Sequence, residues 1–230
     1  MKMVLCRGLR KIYRQGKMDV VALDGIDLAI GKGEFVALAG PSGSGKTTLL
    51  NLIGGLDRPD EGEIHLQDQL INDMDQSRLA ELRLRQIGFV FQAFNLIPVL
   101  SATENVEFIL LLQGVEAGER RQRARAILDD VGLEGLYDRR PAELSGGQQQ
   151  RVAVARAIVS DPAIVLADEP TANLDSTTGQ GLLEMMKEMN EKKRVTFIFS
   201  THDAMVMDYA RRLILLHDGR IVEDRQKEGK

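Results

Sequence analysis

The chain has 230 residues, enough for one domain with room for an inserted lobe and a sizeable buried core. Hydrophobic residues at 43% and charged residues at 28% exclude a disordered or fibrous chain, and a formal net charge of −4 argues against nucleic acid as the main partner. The single cysteine, Cys6, excludes an internal disulfide; with an N-terminus that has no signal-like segment, it leads us to expect the cytosol.

In chain order, "MVLC" (3–6), "IDLAI" (26–30) and "FVALA" (35–39) read as strands, with Cys6 a small core residue on the first. "FVALA" is continuously apolar, as a strand buried on both faces should be. It runs into "GPSGSGKT" (40–47), after which Leu49, Leu50, Leu52 and Ile53 have helical spacing until Gly54-Gly55 ends the helix. "GEIHLQ" (62–67) and "GFVF" (88–91) are further strands. From about Ala93 to Pro141 the pattern turns helical, with apolar positions at Ala124, Ile127, Leu128 and Val131, and reads as an inserted lobe. A helix over 146–159, strand 163–167, helix 176–192 and strands 195–200 and 212–216 follow; "HDG" (217–219) is a hairpin turn into a last short strand, and the tail "EDRQKEGK" is expected to fray. Alternating strands and helices predict an α/β fold with a mainly parallel sheet flanked by helices. No apolar run approaches the roughly 18–20 residues that span a bilayer, so work at a membrane requires another chain to cross it.

"GPSGSGKT" fits G-x-x-x-x-G-K-[ST] in the strand–turn–helix context that the motif requires. Its glycines let successive N–H groups turn inward, and the helix N-terminus adds partial positive charge, so phosphates sit there favourably. Residues Gly40, Pro41, Ser42, Gly43, Ser44, Gly45, Lys46, Thr47 and Thr48 are therefore expected to line a nucleotide. Lys46 supplies a full charge to the β- and γ-phosphates, and the Thr47 hydroxyl is a suitable magnesium ligand.

"IVLADE" (164–169) ends an apolar strand in two acids, at the sheet edge where α/β proteins bind ligands. Asp168 is expected to hold magnesium, directly or through water, and Glu169 to orient and polarise the attacking water. His202 ends another core strand and is placed to donate to the γ-phosphate; His65 and His217 read as structural. Gln92 is in reach of magnesium and of the attacking water. Tyr13 is open to two readings, a ring that stacks on a flat base or an ordinary core aromatic.

A second glycine turn, "LSGGQ" (144–148), also opens a helix, so Ser145, Gly146, Gly147 and Gln148 can offer a hydroxyl and N–H groups to an anion. One phosphate chain fills one cradle. The simplest geometry puts this second turn on the phosphate of a second copy, in a closed two-fold pair.

Together, "GPSGSGKT", Gln92, "LSGGQ", "IVLADE", "NLD" (173–175) and His202 resemble, in order and over nearly the whole chain, the ATP-binding subunit of ATP-binding-cassette transporters. The resemblance implies a P-loop NTPase core (1–92 and 142–230) with an N-terminal antiparallel β part and an inserted helical subdomain (93–141). It also implies ATP and Mg2+ as cofactors, and two copies that sandwich two ATP molecules. Tyr13 then matches the aromatic that stacks on adenine, and Asp175 the loop acid that communicates across the dimer. Gln92 begins the loop that senses a transmembrane permease, whose coupling helix docks beside the helical lobe; the chain would sit on the cytoplasmic face of the cell (inner) membrane.

More finely, "FVFQAFNLIPVLSATENV" (89–106) with "ADEPTANLD" (167–175) resembles the lipoprotein-release and macrolide-efflux branch, whose permeases change shape without carrying substrate through. Ala172 departs from the glycine that relatives commonly have, which bears on the 173–175 loop rather than on ATP binding. Two other readings stand beside this one. A soluble ATPase of the same class acting on DNA or ribosomes would bring coiled coils or basic extensions, and this chain has none. A nucleotide kinase would leave "LSGGQ", Gln92 and His202 without a role.

Overall fold

The computed structural model describes residues 2–16 and 18–227. Strands β1 (Lys2–Gln15) and β2 (Met18–Gly31) form a long hairpin, followed by β3 (Phe35–Ala39) and helix α1 (Lys46–Ile53). Next come β4 (Glu61–Leu66), β5 (Gln69–Leu70), α2 (Gln76–Gln86) and β6 (Ile87–Val90). The lobe contributes α3 (Ala102–Leu112) and α4 (Ala117–Asp130), and a 3₁₀ turn (Pro141–Glu143) leads into α5 (Gly146–Ile158). The remainder is β7 (Ile164–Asp168), α6 (Ser176–Lys193), β8 (Thr196–Thr201), α7 (Ala204–Tyr209), β9 (Arg212–His217) and β10 (Arg220–Gln226).

Two sheets result. One is antiparallel, in the order β2-β1-β4-β5. The other runs β10-β9-β3-β8-β7-β6, parallel from β9 to β6 with β10 antiparallel at its edge. Its central strands are buried on both faces, and alternate residues separate two cores. On β8, Phe197 and Phe199 face the core that α3, α5 and α6 cover, while Ile198 faces the core shared with α1 and the antiparallel sheet. Phe35 on β3 closes the first core, with ring centroids 4.6 Å from Phe199 and 5.5 Å from Phe197. At Gly88 on β6 a Cβ would run into the Ala157 carbonyl, so the missing side chain lets α5 lie directly on the strand.

The predicted α/β architecture with a mainly parallel sheet is what the chain adopts. Several elements differ from expectation. The first two strands run 14 residues each rather than four or five. Helices α2 and α7 were not anticipated. The lobe does not become helical at Ala93: residues 91–101 are irregular and α3 starts after Ser101, whose hydroxyl accepts from Glu104 N while Glu104 accepts from Ser101 N. The C-terminal segment expected to fray is paired in β10 as far as Gln226, Lys227 N donates to the Arg211 carbonyl at 2.7 Å, and 228–230 lie outside the described residues. The 217–219 turn is as expected, with positive φ at Asp218 (48°) and Gly219 (74°) between the paired residues His217 and Arg220.

Candidate functional site

The site lies at the carboxyl ends of β3, β7 and β8. Fully buried β3 delivers the chain to the phosphate loop, where Gly43 (φ 81°) and Gly45 (φ 100°) take left-handed conformations that favour glycine. Gly40 admits no side chain, because a Cβ would run into the Leu216 carbonyl. Lys46, 7% exposed, opens α1 and donates from Nζ to the carbonyls of Gly40 (2.8 Å) and Pro41 (2.9 Å), which sets its charge across the mouth of the loop. The Ser44 hydroxyl is buried and has no hydrogen-bond partner among the described residues. An orphaned donor, a buried cation and a helix N-terminus fit a phosphate chain.

Thr47 Oγ1 donates to Asp168 at 3.1 and 3.4 Å from the two carboxylate oxygens, which joins the start of α1 to the end of β7. A hydroxyl and a carboxylate are hard oxygen donors and fit magnesium. Among the described residues no group of three or more His, Cys, Asp or Glu comes together in the way a metal cage would need.

Glu169 follows on β7 with a left-handed backbone (φ 46°), and its N–H donates to the Ser200 carbonyl on β8 at 2.9 Å. Non-glycine residues in that region are held there by their surroundings. The carboxylate accepts from the Thr201 hydroxyl at 3.2 Å and lies 2.7 Å from His202 Nδ1. A carboxylate is acceptor-only, so Nδ1 carries the proton; Nε2 then donates only when the ring is charged. His202 was expected to address a phosphate; its contact within the chain is Glu169, with the ring otherwise exposed.

Tyr13, 36% exposed, donates to Asp57 Oδ2 at 2.8 Å. Burial and the Asp57 bond push the phenol above its usual pKa, against a smaller pull from the Thr48 hydroxyl. Burial alone would raise Asp57, but bonds from Lys11, the Arg58 amide and Tyr13 hold it below the usual carboxylate range. The core-aromatic reading of Tyr13 does not hold, because the ring is half-open to solvent.

The second glycine turn caps α5: Ser145 Oγ accepts from Gln148 N (3.3 Å) and Gln148 Oε1 accepts from Ser145 N (2.9 Å). Ser145 is exposed. Around Gly146 stand Phe94, Asn173 and Leu174, and around Gly147 stands Thr178, so the nearest neighbours of these two glycines come from the 91–101 loop, the 173–175 segment and the start of α6. Asp175 caps α6, accepting from Thr178 Oγ1 (2.6 Å) and Thr178 N (3.0 Å), and these bonds lower its pKa. Ala172 is exposed, its N–H donating to the Glu169 carbonyl at 3.2 Å.

Gln92 is exposed at the start of the 91–101 loop; what the chain uses is its carbonyl, which accepts from Asn173 Nδ2 at 2.8 Å. Sequence reasoning missed three residues that hold this loop. Gln150, fully buried on α5, donates to the Pro170 carbonyl (2.9 Å) and reaches the Phe91 carbonyl (3.5 Å). Arg156 donates to the carbonyls of Phe94 (2.9 Å) and Asn95 (2.5 Å), both of which have positive φ. Asn173 is the third. The available signal was a polar residue on the buried face of α5.

His65 pairs with Glu63 (3.1 Å) and His217 with Asp218 (3.1 Å). Cys6 is buried, and burial, with the Asp27 charge, pushes its thiol up to about 12, which leaves it inert.

Comparison with known proteins agrees with this geometry. Residues 23–172 match the family described as ABC transporter. The chain is 47% identical over 222 residues to the lipoprotein-releasing system ATP-binding protein LolD of Chromohalobacter salexigens, covering 96% of this chain and 94% of that one. It is also 47% identical over 223 residues to the macrolide export ATP-binding/permease protein MacB of Syntrophobacter fumaroxidans, where it covers 96% of this chain but spans only 31% of the relative. Among solved structures, the dimeric post-hydrolysis state of the ATP-binding cassette MJ0796, bound to ADP and Pi, superposes with a TM-score of 0.91 at 44% identity, covering 99% of this chain and 100% of that one. The fold, the phosphate loop and its two acids, and these matches agree: the chain belongs to the ABC transporter family, as an ATP-hydrolysing cassette.

Proposed function

We propose that two copies of this chain form an ATP sandwich that drives a separate transmembrane permease of the lipoprotein-release or macrolide-efflux type, on the cytoplasmic face of the inner membrane. The observation that carries this reading is that the two glycine turns have different surroundings. The first stands with Lys46, Thr47 and Asp168, whereas the second caps α5 with Ser145 exposed and with Phe94, Asn173, Leu174 and Thr178 about its glycines. Each copy supplies the phosphate loop of one site and the Ser145–Gln148 turn of the other.

Within one site, Gly40–Thr48 bind the phosphates, Lys46 neutralises the β- and γ-oxygens and Tyr13 stacks on the adenine. Thr47 and Asp168, with Gln92, hold magnesium, which when bound neutralises phosphate charge and sets the angle of the γ-phosphoryl group. Glu169 orients and polarises water, and His202 holds Glu169 by Nδ1; only with the ring charged would Nε2 also donate to the phosphoryl group. Such catalysis is positioning plus charge neutralisation. Asp175 lies at the seam between copies. Closure is differential binding of the paired state, and loss of the γ-phosphate releases it.

The permease is proposed to meet the 93–141 subdomain at a cavity of about 420 Å³ lined by Leu56, Phe89, Phe91, Ile97, Phe108 and Ile109, beside the Gln92 loop. An apolar cleft of this kind suits a short amphipathic helix. No described helix is long and apolar enough to cross a membrane.

Light scattering of the Glu169→Gln protein with and without ATP-Mg tests the sandwich. An ATP-dependent shift from monomer to dimer is expected; a monomer under both conditions in saturating ATP-Mg counts against it.

A further inference from the structure

The Tyr13 ring is fixed by two residues outside the phosphate loop, Lys11 and Asp57. Lys11 lies two residues earlier on β1 and hence on the same side of the strand. Its Nζ stands over the Tyr13 ring, 5.2 Å from the centroid. The same ammonium pairs with Asp57 Oδ1 at 3.0 Å and donates to the Arg58 carbonyl at 2.7 Å, while Asp57 Oδ2 accepts from the Tyr13 hydroxyl at 2.8 Å. Asp57 Oδ1 is itself steadied by the Arg58 N–H at 2.7 Å. The Lys11 side chain is only 11% exposed. One edge of the ring is thus tied by its hydroxyl, one side is occupied by a cation, and the rest is open.

Asp57 also fixes where the ring stands relative to the phosphate loop. It comes four residues after Ile53, the last residue of α1, whose first residues are Lys46 and Thr47. The link from Asp57 N to the Asn51 carbonyl (3.4 Å) and that from Leu56 N to the same carbonyl (2.9 Å) join this segment to the helix. The ring on β1 is therefore braced, through Asp57, against the same eight-residue helix that opens at the phosphate cradle.

We propose that Lys11 and Asp57 are positioning residues for nucleobase recognition: they hold the plane and height of the Tyr13 ring so that a purine stacks on its open face while the phosphates occupy the loop. The inference rests on the reading of Tyr13 as the base-stacking residue. An unbraced ring would be immobilised only on binding, and that ordering weakens affinity. A brace removes that cost, and a cation over one side leaves the other side for the base.

The test is calorimetric titration of the full chain with ADP and, separately, with inorganic pyrophosphate, both with magnesium. Lys11→Met, Asp57→Asn and Tyr13→Phe are each expected to weaken ADP by roughly three- to tenfold, the cost of ordering one side chain. Pyrophosphate binding stays at the wild-type value in all three, and the losses of Lys11→Met and Tyr13→Phe do not add in the double variant. Wild-type ADP affinity in Lys11→Met and Asp57→Asn, with weak binding in Tyr13→Ala, overturns the positioning role and leaves stacking in place. Wild-type ADP affinity in Tyr13→Ala overturns the stacking reading itself. An equal loss of ADP and pyrophosphate would place the effect on the phosphate loop and overturns the proposal as well; Tyr13→Phe, which keeps the ring, guards against loss through misfolding.

Discussion

His202 Nδ1 and Glu169 Oε1 stand 2.7 Å apart, joining the ends of β8 and β7 through a glutamate whose backbone is left-handed. If the histidine works by holding the glutamate, the two act as one unit. Glu169→Gln is expected to lower single-turnover phosphate release by at least about 100-fold, the scale of general-base catalysis, with ATP affinity little changed. His202→Ala should cause a comparable loss, and the double variant should be no slower than the slower single one. Losses that multiply would mean that the residues contribute independently.

Ser145 is exposed and caps α5 with Gln148, so a larger side chain there disturbs the turn's outward face before it disturbs the fold. Ser145→Arg should keep wild-type ADP affinity and lose most ATP hydrolysis, because the altered turn belongs to the partner's site. Normal turnover by this variant would remove the second copy from the catalytic scheme.

The Thr47–Asp168 contact sets a metal dependence. Asp168→Asn is expected to raise the magnesium concentration for half-maximal hydrolysis by at least about tenfold, the usual scale for losing a residue that orients the metal's surroundings. Nucleotide affinity measured in EDTA should not move. A uniform loss of affinity with and without magnesium would instead assign Asp168 to the fold.

Gly147 faces Thr178, and a Cβ there would land on the Thr178 Cγ2. Thr178 has little freedom to turn away, since its hydroxyl is bonded to Asp175 at 2.6 Å. Gly147→Ala should therefore destabilise the chain by about 1–3 kcal/mol in urea unfolding, as overpacking does. Thr178→Ser removes the methyl and keeps the hydroxyl, so adding it should restore most of the loss. Without rescue, the strain lies elsewhere than in this contact.

Most of the parallel sheet was legible because each of its strands is a short apolar run with a turn or an acid at its end, as at Ile164–Asp168. The phosphate loop was legible because its motif and its strand–helix context are local. What was not legible depends on pairs distant in sequence or on irregular periods. The β1/β2 hairpin shifts register four times and exposes Met18, Val20 and Val21, so no clean alternation marks it. Helix α2 buries only Leu79 and Leu82, and α7 is six residues long, held by its Asp203 cap. The hold of Gln150 on Pro170 and Phe91 spans 20 and 59 residues, and no local pattern announces it.

The loop that begins at Phe91 is gripped by its carbonyl oxygens: Gln150 takes that of Phe91, Asn173 that of Gln92, and Arg156 those of Phe94 and Asn95. A carbonyl is the same whatever residue carries it. In the proposed assembly the outward side chains of this loop can therefore vary to suit a different permease while the bonds that tie the loop to Gln150, Arg156 and Asn173 stay intact. A single engine design can in this way be fitted to many membrane partners without redesign of its chemistry.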